Sequence, residues 1–431
     1  MTLLKVKSGC EFYAYGSERY VLHTSDQRHF LISSTTKELL EALIASKPLE
    51  TICEDLAQGG DPALTVAELT DLLQTRFGHL GIFAAETAPL ARSATARGSG
   101  LVNQAFLRCW DLLPSSRVER MAQRLAWLYG NPANFLAIAL ILATHVLVYN
   151  LRHGYFALRL NHGSPLAILF LALFSILAHE LGHGTALLRF GARPGKIGFG
   201  LYFLMPAFFA DVSQVWRLPR HARLTVDVGG VYFQQAVFVI YAAGALYWHS
   251  LEFAAACFAI DAMTVFALNP VFRFDGYWLL ADWLALPNMH RDAVRLLKYW
   301  LGRLIPGRSG RVQGRPATLP RLSGVKATAF SAYAVFCNLF IAFALIFSAR
   351  YLRSGLFSFA KRLPARISEI HFSASVGAWA IMTDQLVTTL VAFAFAATAV
   401  LGLCVYLVRA LSLLRSSFRS ISIPYFKSQA S

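Results

Sequence analysis

Cysteine is scarce and scattered in this chain. Cys10, Cys53, Cys109, Cys257, Cys337 and Cys404 form no C-x-x-C pair. That argues against a cysteine-bound zinc and gives no disulfide framework. Charge is scarce as well: Asp, Glu, Lys and Arg make up 15% of the residues, whereas 56% are hydrophobic. The opening residues, MTLLKVKSGCEFYAYG, hold no apolar h-region, so no signal peptide is expected. His145, His153, His162, His221, His249, His290 and His371 form no H-x-x-H-H group, which argues against a histidine-rich di-iron membrane oxygenase.

What the chain does have is apolar residues in blocks. Over 431 residues the mean hydropathy is +0.48, too apolar for an ordinary soluble enzyme. Spans are expected at about 134–150, 165–188, 230–249, 253–271, 327–349 and 385–408. The expected fold is an α-helical polytopic membrane protein of about six spans with a small N-terminal winged-helix-like α+β cytosolic domain.

Lys and Arg number 40 against 24 Asp and Glu, a net charge of +16. The basic residues collect in loops flanking the spans, so their reading is the positive-inside rule and not nucleic-acid binding. Arg189 to Arg223, Arg291 to Lys326 and Arg409 to Lys427 mark cytoplasmic segments. The segment after the first span has only Arg152 and Arg159, and Ser250–Glu252 has no basic residue. The last outside loop dissents, with Arg353, Lys361, Arg362 and Arg366. The balance predicts a multi-pass protein of the cytoplasmic membrane with both termini inside.

Six segments are expected: a cytosolic domain over 1–86, a linker with interfacial helices over 87–130, and a membrane core over 131–286. A basic cytoplasmic loop over 287–326, two further spans within 327–410 and a basic tail over 411–431 follow. In the first segment, CEFYAYG, RYVLHT and HFLISS read as short strands. Thr35-Thr36-Lys37-Glu38 reads as a capping box, Pro48 opens a second helix, and Thr65 with Glu68 opens a third. HLGIF reads as a closing strand. The helices TICEDLA and VAELTDLL are acidic, which argues against contact with phosphates. In the linker, TAPLARSATARGSG reads as flexible. Beyond it, Arg108, Arg117, Arg120 and Arg124 with Trp110 and Trp127 suggest helices at the membrane surface or packed on the core.

The second span carries His179, Glu180 and His183 in the H-E-x-x-H pattern. Residues four apart share one helix face, so both imidazoles can reach one metal ion, with Glu180 beside it as acid/base. A chance match in a chain of this composition is on the order of one in a hundred. The setting sharpens the signal, because each ionisable group inside a span costs roughly 2.5–3.5 kcal/mol on insertion scales. Three such groups within five positions ask for a compensating partner. With the first domain inside, spans two and four both run inward, which brings Asp275 of NPVFRFDGYW to the depth of the histidines. Two histidines and a carboxylate with an open position suit catalytic zinc. Other readings stand beside this one. The histidines could be a hydrogen-bonded pair facing the bundle interior, and Asp275 could pair with Arg273. Asp211 is a competing carboxylate, and Asp261 reads as a structural intramembrane acid.

AHELGHG followed some 90 residues later by NPVFRFDGYW resembles the site-2 protease family of intramembrane zinc metallopeptidases. The resemblance covers roughly residues 131–286. It implies Zn2+ held by His179, His183 and Asp275, Glu180 as catalytic acid/base, and Asn269 beside the substrate. Phe274 stands where the family often has leucine. FGARPGKIGFGLYFLMPAFFADVSQVWRLPR resembles the peptide zinc metalloprotease subgroup, and no PDZ-like insertion is visible between the motifs. The implied activity is zinc-dependent hydrolysis of a membrane-associated or precursor peptide, in peptide maturation or export. The first segment resembles PqqD-like domains, which implies a leader peptide or export machinery as partner, besides the lipid bilayer and the peptide or membrane-protein substrate. An inert accessory protein with a structural metal site is the alternative. Residues 197–210, with Gly198, Gly200 and Pro206, are too short to span and are expected to form a re-entrant or β-like element lining the site, or an ordinary interfacial loop.

Overall fold

A computed structural model describes residues 6, 10–15, 19–24, 29–58, 65–77, 82–83, 106–151, 164–202, 205–286, 288–304, 322–390, 392–393 and 400. Residues 87–105 of the expected linker, residues 152–163 and 305–321, the expected C-terminal tail and most of the sixth expected span lie outside them.

Three strands open the fold: β1 (Glu11–Ala14), β2 (Arg19–His23) and β3 (His29–Ser33). They form an antiparallel sheet in that order, with Tyr13 opposite Val21 and Leu22 opposite Phe30. Helices α1 (Ser34–Ile44), α2 (Leu49–Gln58) and α3 (Val66–Phe77) follow, and Leu22, Leu40, Leu69 and Leu73 are buried between sheet and helices. The α3 capping box forms as expected: Thr65 donates its N–H to Glu68 Oε2 at 2.9 Å, and the Glu68 N–H donates to Thr65 Oγ1 at 3.3 Å. The α1 cap differs from expectation. Ser33, not Thr35, is the N-cap, accepting from the Thr36 N–H at 3.2 Å, because β3 runs directly into the helix. Of the closing strand, Ile82 and Phe83 are described: Ile82 is buried, and Phe83 is bridged to Val6.

The linker differs more. Residues 106–113, where Arg108 and Trp110 suggest a helix at the membrane surface, instead form β4 (Phe106–Leu113). It pairs antiparallel with β5 (Ile197–Tyr202), which pairs with β6 (Met205–Ala210). A partner strand some 90 residues away overrides the local pattern. The β5–β6 hairpin is the β-like element expected over 197–210. Helix α4 (Ser115–Leu125) and a 3-10 turn over Ala126–Tyr129 lead into the membrane core.

The core is helical: α5 (Asn131–Leu151), α6 (Pro165–Arg189), α7 (Arg220–Trp248), α8 (Leu251–Ala267) and α9 (Asp275–Leu284). Among the described residues α5, α6 and α7 are long and apolar enough to cross a membrane, which makes this a membrane protein. Phe135, Leu136, Leu142 and Val146 on α5 are exposed, as a lipid-facing surface would be. Helix α8 has 17 residues, fewer than the roughly 20 of a typical span. Helix α10 (Met289–Leu304) lies against α11 (Gly324–Ser375).

Helix α11 corrects the fifth expected span. It does not stop near residue 349 but runs for 52 residues, where a loop was expected over 350–384. At about 1.5 Å per residue it is about 78 Å long, more than twice the hydrocarbon thickness of about 30 Å. Arg, Lys, Leu and Ala in that stretch are good helix formers, and charge by itself does not end a helix. Helical residues 379–390 then return Asp384 to the start of α6. Its Oδ1 accepts from Ser164 Oγ at 3.1 Å and from the Leu166 N–H at 3.2 Å. A carboxylate there satisfies an orphan N–H and suits the positive end of the helix dipole.

Helices α6 and α7 cross backbone to backbone. A Cβ on Gly182 would overlap the carbonyl of Gly229, and Tyr129 Oη donates to the Gly182 carbonyl at 3.1 Å. Small residues at such a crossing let two membrane helices approach closely. Gly182→Ala is therefore expected to force the helices apart at a cost of about 1–3 kcal/mol, the usual range for overpacking. A lowered unfolding midpoint of the detergent-solubilised chain would register it; an unchanged midpoint would refute the close crossing.

Candidate metal centre

Helix α6 begins with Ser164 as N-cap and Pro165 in its first turn, both good starting signals. Its C-terminal half, from His179 to Leu187, is mostly buried. His179 and His183 lie one turn apart and are 9% and 8% exposed, so their imidazoles turn inward. Their rings stand edge to face with centroids 4.8 Å apart.

Asp275 opens α9 and meets them. Its Oδ2 is 2.9 Å from His179 Nε2, its Oδ1 is 3.5 Å from His183 Nε2, and the two Nε2 atoms are 3.2 Å apart. All three ligand atoms lie within 4.8 Å of one another. Gly276 makes this approach possible, because a Cβ there would overlap the carbonyl of Leu268 as residues 268–274 fold back over the start of α9. Arg273, the alternative partner for Asp275, stands over the Tyr277 ring at 5.9 Å.

The protons decide what this cluster is. His183 Nδ1 is 2.7 Å from the Val226 carbonyl, which can only accept, so Nδ1 carries the hydrogen. His179 Nδ1 is 3.2 Å from Gln234 Oε1, again an acceptor as the amide is oriented, while Gln234 Nε2 donates to Ser175 Oγ at 3.4 Å. Neutral imidazoles held this way turn their Nε2 lone pairs towards each other and towards a carboxylate. Asp275 Oδ2 is buried, with His179 Nε2 at 2.9 Å as its polar neighbour. Two imidazole nitrogens and a carboxylate converging on one point are a donor set that fits a cation. The spacing fits as well, because tetrahedral zinc bonds of about 2.0–2.1 Å imply ligand-to-ligand edges of about 3.3 Å.

Helix α7 supplies the surround. Val226, Gly230 and Gln234 recur at helical spacing and form one stripe facing α6. Gly230 leaves the room, since a Cβ there would overlap Nε2 of both histidines. None of these three is among the residues expected from sequence. A glutamine pair, Gln234 and Gln235, inside an apolar stretch was the available signal for one of them.

The remaining candidates sit as follows. Glu180 is half-buried, and the backbone amide of Ala210, at the end of β6, interacts with its carboxylate. Asn269 Oδ1 accepts from the Val271 N–H at 3.0 Å and so shapes the turn before α9. Asp211 is outside the cluster, with its Oδ1 accepting from Ser213 Oγ at 2.6 Å and the Ser213 N–H at 3.1 Å. Asp261 faces His145 Nε2 at 3.2 Å and accepts from Gln235 Nε2 at 3.3 Å and from Tyr149 Oη, in a polar group that ties α5, α7 and α8 together.

One comparison with known proteins bears on this geometry. A protein of Bacillus subtilis (strain 168) named "Putative peptide zinc metalloprotease protein YydH" is 24% identical over 185 residues, which is 42% of this chain and 71% of that protein. The likeness supports a zinc metalloprotease family and nothing finer. No family model matches the chain, and no solved structure matches it.

The purified chain is expected to hold about one zinc, measured by elemental analysis, and His183→Ala or Asp275→Ala should remove most of it. Gln234→Leu should keep the stoichiometry and weaken affinity about 10–100-fold, the usual cost of losing a partner behind a ligating histidine. Zinc content unchanged in Asp275→Ala would exclude it as the third ligand.

Proposed function

We propose that this chain is a membrane-embedded zinc peptidase of the site-2 protease type, acting on a membrane-associated or precursor peptide. The observation that carries the reading is the convergence of His179 Nε2, His183 Nε2 and Asp275 on one point, with Glu180 on the same helix. The name of the Bacillus subtilis relative agrees with it.

Zinc, when bound, supplies Lewis-acid polarisation and a water acidic enough to give up a proton near neutral pH. The rest is the work of the chain. Gln234 and Val226 hold the Nδ1 protons of His179 and His183, which leaves Nε2 of each ring as the nitrogen that would bind the metal. Glu180 takes the proton of the attacking water and passes it to the nitrogen of the leaving amine as the C–N bond breaks. Water and one peptide bond are consumed, and one carboxylate and one amine are released. Asn269 has its carbonyl oxygen committed to the turn, which leaves its NH2 group as the part able to bind the substrate backbone.

The scissile peptide has to be extended, because a helix hides its carbonyls. In the order β4-β5-β6 the edge strand beside α6 is β6. An extended peptide added to that edge would run past Glu180, with backbone hydrogen bonds giving affinity and alternate side chains giving specificity. The loop charges favour a cytoplasmic membrane location with both termini inside. The N-terminal sheet and helices would then sit on the cytoplasmic side, where a PqqD-like module would take the leader of a precursor peptide or meet an export partner.

Cells carrying the native chain and cells carrying Glu180→Gln should differ in processed peptides by mass spectrometry. The product is expected to fall about 10²–10⁴-fold in the variant, the usual contribution of a general acid/base. Identical peptide profiles in the two strains would remove the peptidase reading.

A further inference from the structure

The N-terminal sheet does not hang free of the membrane core. Alternate residues of a strand share one face. Glu11 and Tyr13 of β1, with Tyr15 just after it, all turn towards the core. Glu11 Oε2 pairs with Arg217 at 2.6 Å, and that guanidinium stands 5.7 Å from the Tyr13 ring. The Tyr15 ring lies 5.6 Å from Trp216, which in turn packs against Trp278 of α9.

Tyr15 goes deepest and is 1% exposed. Its Oη donates to Asp282 Oδ1 at 3.0 Å, while Asp282 Oδ2 lies 3.2 Å from Arg223 Nε. The Arg223 guanidinium stands 4.6 Å from the Tyr15 ring centroid, and its other end donates to the Leu218 carbonyl at 3.1 Å. Arg223 is itself 1% exposed. Burial holds the Tyr15 hydroxyl well above the usual tyrosine range, so it stays a donor to the carboxylate.

The helices joined here are α9, which carries Asp275, and α7, which backs the two histidines of α6. Asp282 lies seven residues after Asp275, two turns along the same face of α9. Arg223 lies three residues before Val226, on the α7 face that holds the histidines. One turn earlier, Arg220 donates from Nε to the Asp282 carbonyl at 3.1 Å and also to the Trp283 carbonyl, closing the last turn of α9. One end of α9 is thus fixed to α7, and its other end delivers Asp275.

We propose that the N-terminal sheet is a working part of the metal centre: Tyr15 is a positioning residue that, through Asp282 and Arg223, holds α9 against α7 and so keeps Asp275 in reach of His179 and His183. The proposal rests on the metal-peptidase reading and adds to it a route from the N-terminal module to the site. Whatever lifts Tyr15 out of its seat loosens the third ligand without touching the histidines. Peptide capture by the sheet would then be felt at the metal.

Cobalt reports this directly, because its visible absorption depends on ligand geometry. Co2+ is titrated into the metal-free full-length chain in detergent, for the native protein, Tyr15→Phe, Tyr15→Ala and Glu11→Gln. Tyr15→Phe keeps the ring under Arg223 and drops the hydrogen bond, so it should weaken Co2+ binding less than Tyr15→Ala. The alanine variant should lose about 10–100-fold, the range for groups behind a ligand, and change the band shape. Glu11→Gln, which touches only the rim of the contact, should leave the native spectrum. Should Tyr15→Ala fail to fold, Tyr15→Phe carries the test by its spectrum and affinity. Native-like affinity and spectra in the folded Tyr15 variants overturn the positioning role while leaving the metal centre standing. A native chain that binds no Co2+ overturns both.

Discussion

Two hydrogen bonds on the far side of the histidines govern the centre. The Val226 carbonyl and the Gln234 side chain hold the Nδ1 protons of His183 and His179, and so fix which nitrogen faces Asp275. Without them either ring could turn and present its other nitrogen to Asp275. With them, the two Nε2 atoms and the carboxylate face one another, an arrangement that suits a bound cation. Gly230 is the steric half of the same constraint, since only a residue without Cβ leaves room for both rings against α7.

The setting raises the stakes. A polar group left unpaired in a low-dielectric interior costs about 1–3 kcal/mol, and a broken buried ion pair about 3–5 kcal/mol. The core answers with partners at each level: Asp384 at the start of α6, Asp261 with His145 and Gln235 between helices, and Arg223 with Asp282 at the end of α9. These groups bind the helices to one another, which apolar side chains alone do weakly in a lipid environment. Arg223 and Asp282 add a further link, because the buried Tyr15 that completes them comes from the first sheet of the chain.

Much of this was legible in the sequence, and the division follows from range. His179 and His183 meet through the period of one helix, and Asp275 is signalled by the NPVFRFDGYW segment at the end of a later apolar stretch. The Thr65–Glu68 box and the hairpin over 197–210 are likewise local, the latter announced by its glycines and proline. What stayed hidden depends on partners far along the chain. Residues 106–113 are a strand only because β5 is there to pair with them. Gln234, Gly230 and Val226 act across a helix crossing, and Tyr15 finds Asp282, 267 positions further along the chain. The overlong α11 stays hidden for another reason: the charges after residue 349 read as a loop signal, yet the helix continues through them and through Pro364.

Zinc K-edge X-ray absorption of the purified, zinc-loaded chain tests the central claim most directly. The account predicts a shell of nitrogen and oxygen atoms alone at about 2.0–2.1 Å, with the outer scattering of two imidazoles and none of sulfur near 2.3 Å. In the fraction of zinc that Asp275→Ala still holds, the two imidazoles should remain and the carboxylate contribution should vanish. A sulfur shell, or fewer than two imidazoles in the native spectrum, would contradict it.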